Sequence, residues 1–496
     1  MSESATGFPH PVYRAIVLDP ALANARERLF GPMLAANTAH VVMLAEQGIL
    51  PKEQAAALLR AIQNVAAEGV ECVVAAAPPT AEDLFFMVEG ELIAQAGADI
   101  GGNLQLARSR NDLGAALWRI VARQLVLDVM EKILTFRGSL LALAEKHVES
   151  VMPGYTHTQP AQPTTLAHYL AGVWGPLERD TARLQAVYTR VNQSPLGAAA
   201  FTTTAFPIDR TRVAALLGFD GVIENGYDAV GASDAMIEAV SALVICASSL
   251  SRFLYDLLVW ARIEIGFIRV DDAFVQISSI MPQKRNPVVL EHLRAHLAYI
   301  YGDAATVQTM THNAAFADTN DVEDDIQIPL YRAFEHTANV LTLFTAVLDT
   351  VQVNRERMAA LASRGFTTAT ELADTLAREF RLPFRTAHGI TARVVQTALA
   401  AGKEADAVTA ADVREAAIGQ SVPITEEMVR RALDPAAVVA ARSLPGGPAP
   451  DRMRATISES RARLEADHIW FVGAHQRLTA TTTKRAHAAN SIVATS

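Results

Sequence analysis

The chain has 496 residues, of which 50% are hydrophobic and 19% charged, and its formal net charge is −10. This balance is typical of a packed globular protein and argues against a disordered chain. No tract rich in Lys and Arg accompanies the acidic charge, which argues against nucleic acid as a partner. The two cysteines, Cys72 and Cys246, form no CxxC pair and supply no disulfide framework.

Two segments bear on the compartment in which the protein works. The start, MSESATGFPHPVYR, lacks the basic-then-apolar order of a signal peptide. A long uncharged stretch covers 152–177, but Pro, Gln, His and Gly interrupt it, which argues against a membrane span. We therefore expect a cytoplasmic protein with no membrane partner.

Apolar residues at helical spacing run along most of the chain and predict an all-α fold. A proline-free helix is predicted over about 112–147, which would be roughly 50 Å long at 1.5 Å per residue. Long helices are also predicted over 234–265 and 287–311, the last with Asn286 as its cap and Pro287 at its first position. Helices of this length predict a bundle whose apolar sides face other helices, including those of other subunits.

The same pattern divides the chain into three helical domains. The N-terminal domain is predicted over 1–102, where a Gly-Gly turn precedes the first long helix. The central long-helix domain covers 103–363, and a C-terminal domain covers 364–496. Its tail, from about 477, is rich in Ala, Thr and Ser and is predicted to be disordered.

Three polar segments interrupt this helical pattern. ARSRND (107–112) lies at the start of the first long helix, where Ser109 or Asn111 can cap the helix. Ser, Arg and Asn beside a helix N-terminus also form a good cradle for a carboxylate. PGYTHTQP (153–160) is a proline-bounded loop whose His157 either satisfies nearby backbone or carries a proton.

The third segment, SSIMPQKRNP (278–287), is a polar loop between apolar stretches. It has neither the Gly-rich spacing of a phosphate loop nor the G-x-S-x-G pattern of a nucleophile elbow. Two serines, a lysine and an asparagine in such a place are hard to explain as packing. The composition therefore favours a functional loop over a plain surface loop.

The loop 278–287 resembles the signature loop of the fumarase/aspartase superfamily, and MPQKRNP within it is most similar to argininosuccinate lyase. The likeness covers nearly the whole chain and continues in RSRND (108–112), PGYTHTQPAQP (153–163), SPLGAAAFTTTAFPIDR (194–210), NGYDAV (225–230), ATELADTLAREFRLPFRTAH (369–388) and LDPAAVVAARSLPGG (433–447). It implies an all-α homotetramer with a 20-helix bundle core. Each active site is then assembled from three subunits, which contribute one polar segment each, and needs no metal or organic cofactor.

The resemblance also assigns roles to single residues in a reaction that eliminates an amine from an N-substituted aspartate to give fumarate. It implies that Ser278 is the catalytic base and that Lys284 and Asn286 support the developing negative charge. It pairs His157 with Glu291 for proton transfer, while the group that protonates the leaving amine stays open. The resemblance implies that Ser109, Asn111 and Thr156 hold the substrate's carboxylates. Arg110 belongs to the proposed carboxylate cradle at the helix start, and Asn37 stands where the family has an early serine of the substrate site.

The chemistry requires such a set of residues. A proton beside a carboxylate is weakly acidic because its removal creates a dianion, so positive charge and preorganised donors must meet that dianion. A serine hydroxyl does not ionise near neutral pH by itself. It becomes a plausible base where Lys284, backbone amides and a helix N-terminus stabilise the alkoxide.

The sequence departs from the argininosuccinate lyase pattern near the substrate's amine side. Phe85 replaces a histidine after an acidic pair, and Ile277 replaces a glycine before the two serines. Within 315–327, Ala317, Val322 and Asp325 align with a Tyr, a Gln and a Lys that contact the arginine part. Because an aspartate in place of a lysine repels a carboxylate, the pattern predicts another N-substituted aspartate as substrate.

Aminopolycarboxylates such as ethylenediamine-disuccinate (EDDS) or iminodisuccinate are the candidate substrates. The alternatives are argininosuccinate lyase itself and, from another class, a non-catalytic structural homologue like the lens crystallins. The RSRND and PLG…PIDR segments disfavour adenylosuccinate lyase. The sequence leaves the amine product, the stereochemistry and the physiological direction open.

Overall fold

The computed structural model describes residues 8–495, and most of these residues are helical. The described residues begin with seven helices before the first long one, together with a π-helical turn at Arg14–Leu18 and a 3₁₀ turn at Gly102–Gln105. These helices are α1 (Pro11–Tyr13), α2 (Asp19–Arg28), α3 (Phe30–Glu46), α4 (Lys52–Glu68), α5 (Val70–Ala76), α6 (Leu84–Ala96) and α7 (Ala98–Gly101).

The middle of the chain carries the long helices of the bundle and four shorter ones between and after them. They are α8 (Arg110–Glu145), α9 (Leu166–Val191), α10 (Arg210–Leu217), α11 (Gly226–Gly231), α12 (Asp234–Trp260), α13 (Val288–Met310), α14 (Asn320–Glu323), α15 (Gln327–Thr350) and α16 (Arg355–Ala362).

The last part of the chain has five shorter helices and one very long one. They are α17 (Ala369–Phe380), α18 (Phe384–Ala400), α19 (Ala410–Ala416), α20 (Glu426–Leu433), α21 (Pro435–Ala441) and α22 (Pro450–Ala494). Short 3₁₀ turns occur at Asp272–Phe274 and Ala405–Ala407.

Strands in the described part of the chain are short and form two-stranded sheets only. They are β1 (Val151–Thr156), β2 (Gln159–Thr165), β3 (Gln193–Ser194), β4 (Gly221–Val222), β5 (Ile268–Arg269), β6 (Gln276–Ile277), β7 (Arg285–Asn286) and β8 (Gln352–Val353). Pairing is antiparallel in β1–β2, β5–β8 and β6–β7, and parallel in β3–β4. The all-α prediction is confirmed, because each of these sheets is a short two-stranded pairing in a connection between helices.

The core of the bundle lies between α8, α9, α12, α13 and α15, each of which packs against at least two of the others. Aromatic rings join three of these helices: Phe344 of α15 lies 5.1 Å from Phe136 of α8 and 5.3 Å from Phe253 of α12, centroid to centroid. All three rings are buried. Removing such side chains from water is the main favourable contribution to folding.

The predicted long helices are present, with one difference at a helix start. The first runs over Arg110–Glu145 and the second over Asp234–Trp260, as the apolar spacing predicts. The third begins at Val288 with Pro287 as its N-cap, and no side chain caps it. The prediction that Asn286 is the cap is wrong, because Asn286 lies in β7, where it pairs with Gln276.

The predicted disordered tail is also wrong, because residues 450–494 form the single helix α22. Its first half is tied to the bundle by Arg137, which is 1% exposed and donates to Asp467 at 2.6 Å. Its second half packs against α3, α4 and α10, where Ala489 is buried. Alanine is the best helix former and its small side chain permits close packing, so an Ala-rich end need not fray.

Buried apolar residues form three clusters, one in the bundle, one among α3–α8 with α10, and one among α17–α20. The end of α22 contributes to the second cluster, although it belongs to the last part of the chain. The division into three domains at 102 and 363 stays a prediction.

One helix within residues 8–495, α12, is long and apolar enough to cross a membrane by length and composition alone. It packs against α9, α13 and α15. A helix in the centre of a bundle can have the same length and apolar composition as a membrane span. Length and composition are therefore only weak evidence that α12 spans a membrane.

Candidate active site

The first predicted site segment caps α8. The backbone N–H of Ser109 donates to Asp112 Oδ1 at 3.0 Å, and the Ser109 side chain accepts from Asn111 N at 3.3 Å, which makes a capping box. Ser109 Oγ also donates to Asn111 Oδ1 at 2.9 Å. The two predicted carboxylate-binding side chains therefore lie side by side at the positive end of a long helix.

Asp112, which the sequence did not single out, anchors this segment. Its second carboxylate oxygen accepts from Gly197 N at 2.8 Å and Ala199 N at 3.0 Å. Burial raises the pKa of Asp112 in spite of these bonds. Asp112 thereby joins the SPLGAAA segment to the start of α8. The helix-cap spacing S-x-x-D is the sequence signal that points to it.

Asn37 and Arg110 bond to different side chains near the start of α8, and their roles in substrate binding stay a prediction. Asn37 is 2% exposed, and its Oδ1 accepts from Arg108 Nη2 at 2.7 Å. Arg110 instead donates to Asp83 at 2.9 Å. Asn37 thus positions Arg108 from inside the protein, and the charge of Arg110 is already paired.

The second segment, for which the sequence predicts a proline-bounded loop, is a β-hairpin. In β1–β2, Thr156 pairs with Gln159, and the two-residue turn between them has positive φ at both His157 (51°) and Thr158 (65°). Positive φ at both positions is the hallmark of the type I′ turn, and β-branched Thr158 is strained there. His157 and Thr156 are exposed at the tip, and His157 has no hydrogen-bond partner among the described residues of its own chain.

The third segment is the hairpin β6–β7 with Ser278 at its outer end. Ser278 Oγ accepts from Met281 N at 3.1 Å and Ile280 N at 3.4 Å. A β-turn follows, in which Lys284 N donates to Met281 O at 3.0 Å and Pro282 occupies the second position. Two backbone donors directed at one hydroxyl oxygen stabilise negative charge on it.

Ser279 and Lys284 are exposed in the same loop, and neither side chain has a partner among residues 8–495. Ile277, which stands where the resemblance expects glycine, is in β6 and is 79% exposed. Its backbone is extended, so this position does not require glycine.

The three segments do not meet within one chain. Ser109 is at the start of α8, and the His157 hairpin follows the end of this 36-residue helix, so about 54 Å of helix separates them. The hairpin and the Ser278 loop lie at the same end of the bundle. Helix α16 joins them, because Arg355 Nη2 donates to Lys146 O at 2.6 Å and Arg357 Nη2 donates to Glu264 O at 2.6 Å. Glu291 is exposed and has no bond to His157 in the same chain.

An acidic segment lies against the start of α8. Glu323 occupies the space that Gly114 leaves free on the helix, where an added Cβ would be 2.2 Å from Glu323 Oε1. Partial burial, with Asp324 and Asp318 nearby, raises the pKa of Glu323 to about 9. A cavity of about 140 Å³ at this point is lined by Asp325 and by Phe85, and Arg110 is its one cationic lining residue.

Comparisons with known proteins identify the family of this chain. The lyase family model matches residues 19–302, and the argininosuccinate lyase C-terminal model matches residues 366–440. The chain belongs to the argininosuccinate lyase-like branch of the fumarase/aspartase superfamily. Argininosuccinate lyase from Methanoculleus marisnigri is 42% identical over 439 residues, which is 88% of each chain, and argininosuccinate lyase 1 from Shouchella clausii is 36% identical over 91% of each.

Solved structures of relatives have the same fold. The crystal structure of EDDS lyase with formate is 32% identical, covers 99% of this chain and 97% of its own, and has a TM-score of 0.86. A variant of EDDS lyase with bound fumarate matches equally well. The 3-carboxy-cis,cis-muconate lactonizing enzyme from Pseudomonas putida, at 21% identity and a TM-score of 0.71, shows the fold alone.

The family resemblance inferred from the motifs is therefore confirmed, and this member of the superfamily is a carbon–nitrogen lyase. The names of the relatives indicate different substrates, argininosuccinate for one and EDDS for another. Family membership therefore does not identify the amine that this chain releases.

Proposed function

We propose that this lyase eliminates an amine from an N-substituted aspartate other than argininosuccinate and releases fumarate. The observation that carries the proposal is the acidic segment against the start of α8, where Glu323 and Asp325 line a cavity whose one cation, Arg110, is paired with Asp83. Argininosuccinate ends in an amino acid whose carboxylate needs a cation or several donors. A carboxylate that enters such a cavity finds no free cation to pair with, and an unpaired buried carboxylate loses a few kcal/mol of binding.

In the proposed reaction, Ser278 removes the proton from the carbon beside a carboxylate. The N–H groups of Ile280 and Met281 at 3.4 and 3.1 Å favour the ionised hydroxyl that this step needs. Lys284 and Asn286 then support the dianion, for which one lost donor typically costs about 3–4 kcal/mol. The scheme needs no metal or organic cofactor.

The carboxylates of the aspartate part are held by Ser109, Asn111 and Thr156. The bonded pair Ser109–Asn111 at the start of α8 supports this role, because the helix N-terminus attracts anions. His157, supported by Glu291, exchanges a proton on the amine side. Its exposed position at the tip of a hairpin lets it reach a neighbouring subunit.

The proposed active site is shared among subunits of a homotetramer. The length of α8, about 54 Å, prevents Ser109 and His157 of one chain from touching the same substrate. Antiparallel packing of a second chain on the bundle brings the start of one α8 to the loop end of another. The exposed Tyr255 and Tyr299 on α12 and α13 supply apolar surface for such packing.

EDDS and iminodisuccinate are the first substrates to test, because EDDS lyase is similar over the whole chain. Argininosuccinate lyase is the second candidate function, favoured by the 42% identity with an enzyme of that name. The two candidates differ in the amine side only, so one assay decides between them.

The experiment is a measurement of kcat/KM for fumarate release, followed by absorbance, on argininosuccinate, EDDS and iminodisuccinate. We expect argininosuccinate to be cleaved about a hundredfold less efficiently than at least one other substrate, the discrimination typical of unpaired polar groups. Efficient cleavage of argininosuccinate, with the others inert, would establish the second candidate.

A pair of variants tests the structural reason. Asp325→Lys restores a cation at the cavity wall and should shift the preference towards argininosuccinate. Asp321→Lys makes the same charge change on the same segment, but Asp321 does not line the cavity. An equal shift in both variants would mean that overall charge, and not the cavity, sets the preference.

A further inference from the structure

A groove of about 790 Å³ lies beside the Ser278 loop, at the foot of the hairpin β6–β7. Four arginines from four separate segments line it: Arg262, Arg269, Arg285 and Arg355. Glu356 is the one carboxylate among its lining residues. In a chain of net charge −10, this is a local excess of positive charge.

The groove lies on the reverse face of the signature loop. Gln283 and Arg285 line it, whereas Lys284 and Asn286 do not. Neighbouring side chains of a strand point to opposite faces, so β7 presents Arg285 to the groove and Asn286 to the other side. The groove is therefore distinct from the face that carries the proposed catalytic residues.

The positive charge of the groove is only partly neutralised. Arg269 lies 3.3 Å from Asp272, and Arg285 pairs with this same carboxylate. Arg262 has no ion pair among residues 8–495, and Arg355 donates to a backbone carbonyl, Lys146 O. The Asp272 carboxylate is thus shared by two guanidinium groups, and the guanidinium groups of Arg262 and Arg355 have no carboxylate partner within residues 8–495.

We propose that this groove binds a small polyanion, a phosphate ester or a polycarboxylate, and that the bound anion controls the signature loop through Arg285. Planar guanidinium groups bind phosphate and carboxylate oxygens in pairs, and the volume is in the range of small-molecule sites. The anion competes with Asp272 for Arg269 and Arg285. Because Arg285 lies between Lys284 and Asn286 in the chain, this exchange moves the catalytic face of the loop.

The binding test needs no substrate, so it is independent of the proposed function; only the effect on turnover rests on it. The enzyme is titrated by calorimetry with inorganic pyrophosphate in one arm and with the aromatic tricarboxylate trimesate, which is not an analogue of fumarate, in the other, at constant ionic strength. The variant Arg262→Gln/Arg269→Gln removes two groove charges outside the loop. The matched control, Arg430→Gln/Arg431→Gln, removes two exposed arginines of α20 that have no ion pair within 8–495.

We expect saturable binding of at least one probe to the wild type and the control, and binding about tenfold weaker or more in the groove variant. The arm that binds identifies phosphate or carboxylate as the ligand chemistry. Binding that is absent, or equally strong in the groove variant, overturns the site. In fumarate-release assays the bound probe should change kcat/KM in wild type and control but not in the groove variant; binding without this change overturns the control of the loop.

Discussion

Two adjacent serines in the signature loop have very different surroundings. Ser278 Oγ accepts from two backbone N–H groups, whereas the Ser279 side chain is exposed and has no partner among the described residues. A hydroxyl surrounded by donors ionises more readily than one in water. The motif alone gives two serines, and the hydrogen bonds distinguish them.

We predict that Ser278→Ala lowers kcat by about a thousandfold or more, as expected for removal of a catalytic group. Ser279→Ala, the matched control, should change kcat by less than about tenfold, since no hydrogen bond is lost. Both variants should keep the wild-type melting temperature and elution volume. Similar losses of kcat in the two variants would remove Ser278 as the base.

At the residue scale, the sequence predicts contacts between near neighbours in the chain better than contacts between distant residues. The cap of α8 by Ser109 follows from local spacing and is present. The bond between Asn37 and Arg108, separated by 71 positions, has no local signal because it depends on how α3 packs against the start of α8. Hydrogen-bond partners that are this far apart in the chain cannot be predicted from local sequence patterns.

At the scale of elements, helix α8 contains two glycines in different surroundings. An added Cβ at Gly138 would meet only Leu464 at 3.9 Å, an ordinary contact, whereas at Gly114 it would lie 2.2 Å from Glu323 Oε1. Glycine in a helix interior is normally about 1 kcal/mol less favourable than alanine. Gly114 is therefore explained by the acidic segment that it accommodates.

We predict that Gly138→Ala raises the free energy of unfolding by at most about 1 kcal/mol, and that the melting temperature rises accordingly. Gly114→Ala should give no increase, since the methyl group displaces the Glu323 carboxylate. In a Glu323→Ala background the same change at Gly114 should become stabilising, which thermal unfolding of the four variants can measure. An increase at Gly114 in the wild-type background as large as at Gly138 would contradict the packing described.

Helices are predictable from the sequence where the spacing of apolar residues alone determines them. The apolar spacing of α8 and α12 extends over many turns, and their bounds agree with the prediction to within a few residues. The His157 hairpin was missed because its three prolines and the polar turn suggested a loop, and two strands of six and seven residues give little alternation. The Ala-rich α22 was missed because composition alone does not reveal the partners that order it.

At the scale of the molecule, the proposed shared site leads to a test by complementation. Mixed tetramers of His157→Asn and Ser278→Ala chains should recover up to about a quarter of wild-type activity on random mixing, if the two residues come from different subunits. We expect each variant alone to be inactive. Activity is measured after dissociation and reassociation, with mixing verified by mass.

The control mixes Ser278→Ala with Lys284→Ala, two changes in the same segment. No site in these tetramers has both residues intact, so no activity should return. Recovery in the control, or none in demonstrably mixed tetramers of the first pair, would count against sites shared in this way. Sequence motifs identified the three segments, but their placement at opposite ends of α8 required the fold.

Helix α22 links the two ends of the chain, since Asn490 accepts from Gln63 at 2.9 Å and Ala489 completes the N-terminal cluster. During synthesis the N-terminal helices emerge from the ribosome first and can begin to pack as they appear. Their partner on α22 is translated much later, since Gln63 and Asn490 are separated by 427 positions. The N-terminal cluster therefore reaches its native packing only after α22 has been translated, and until then its apolar residues are exposed to chaperones and to other nascent chains.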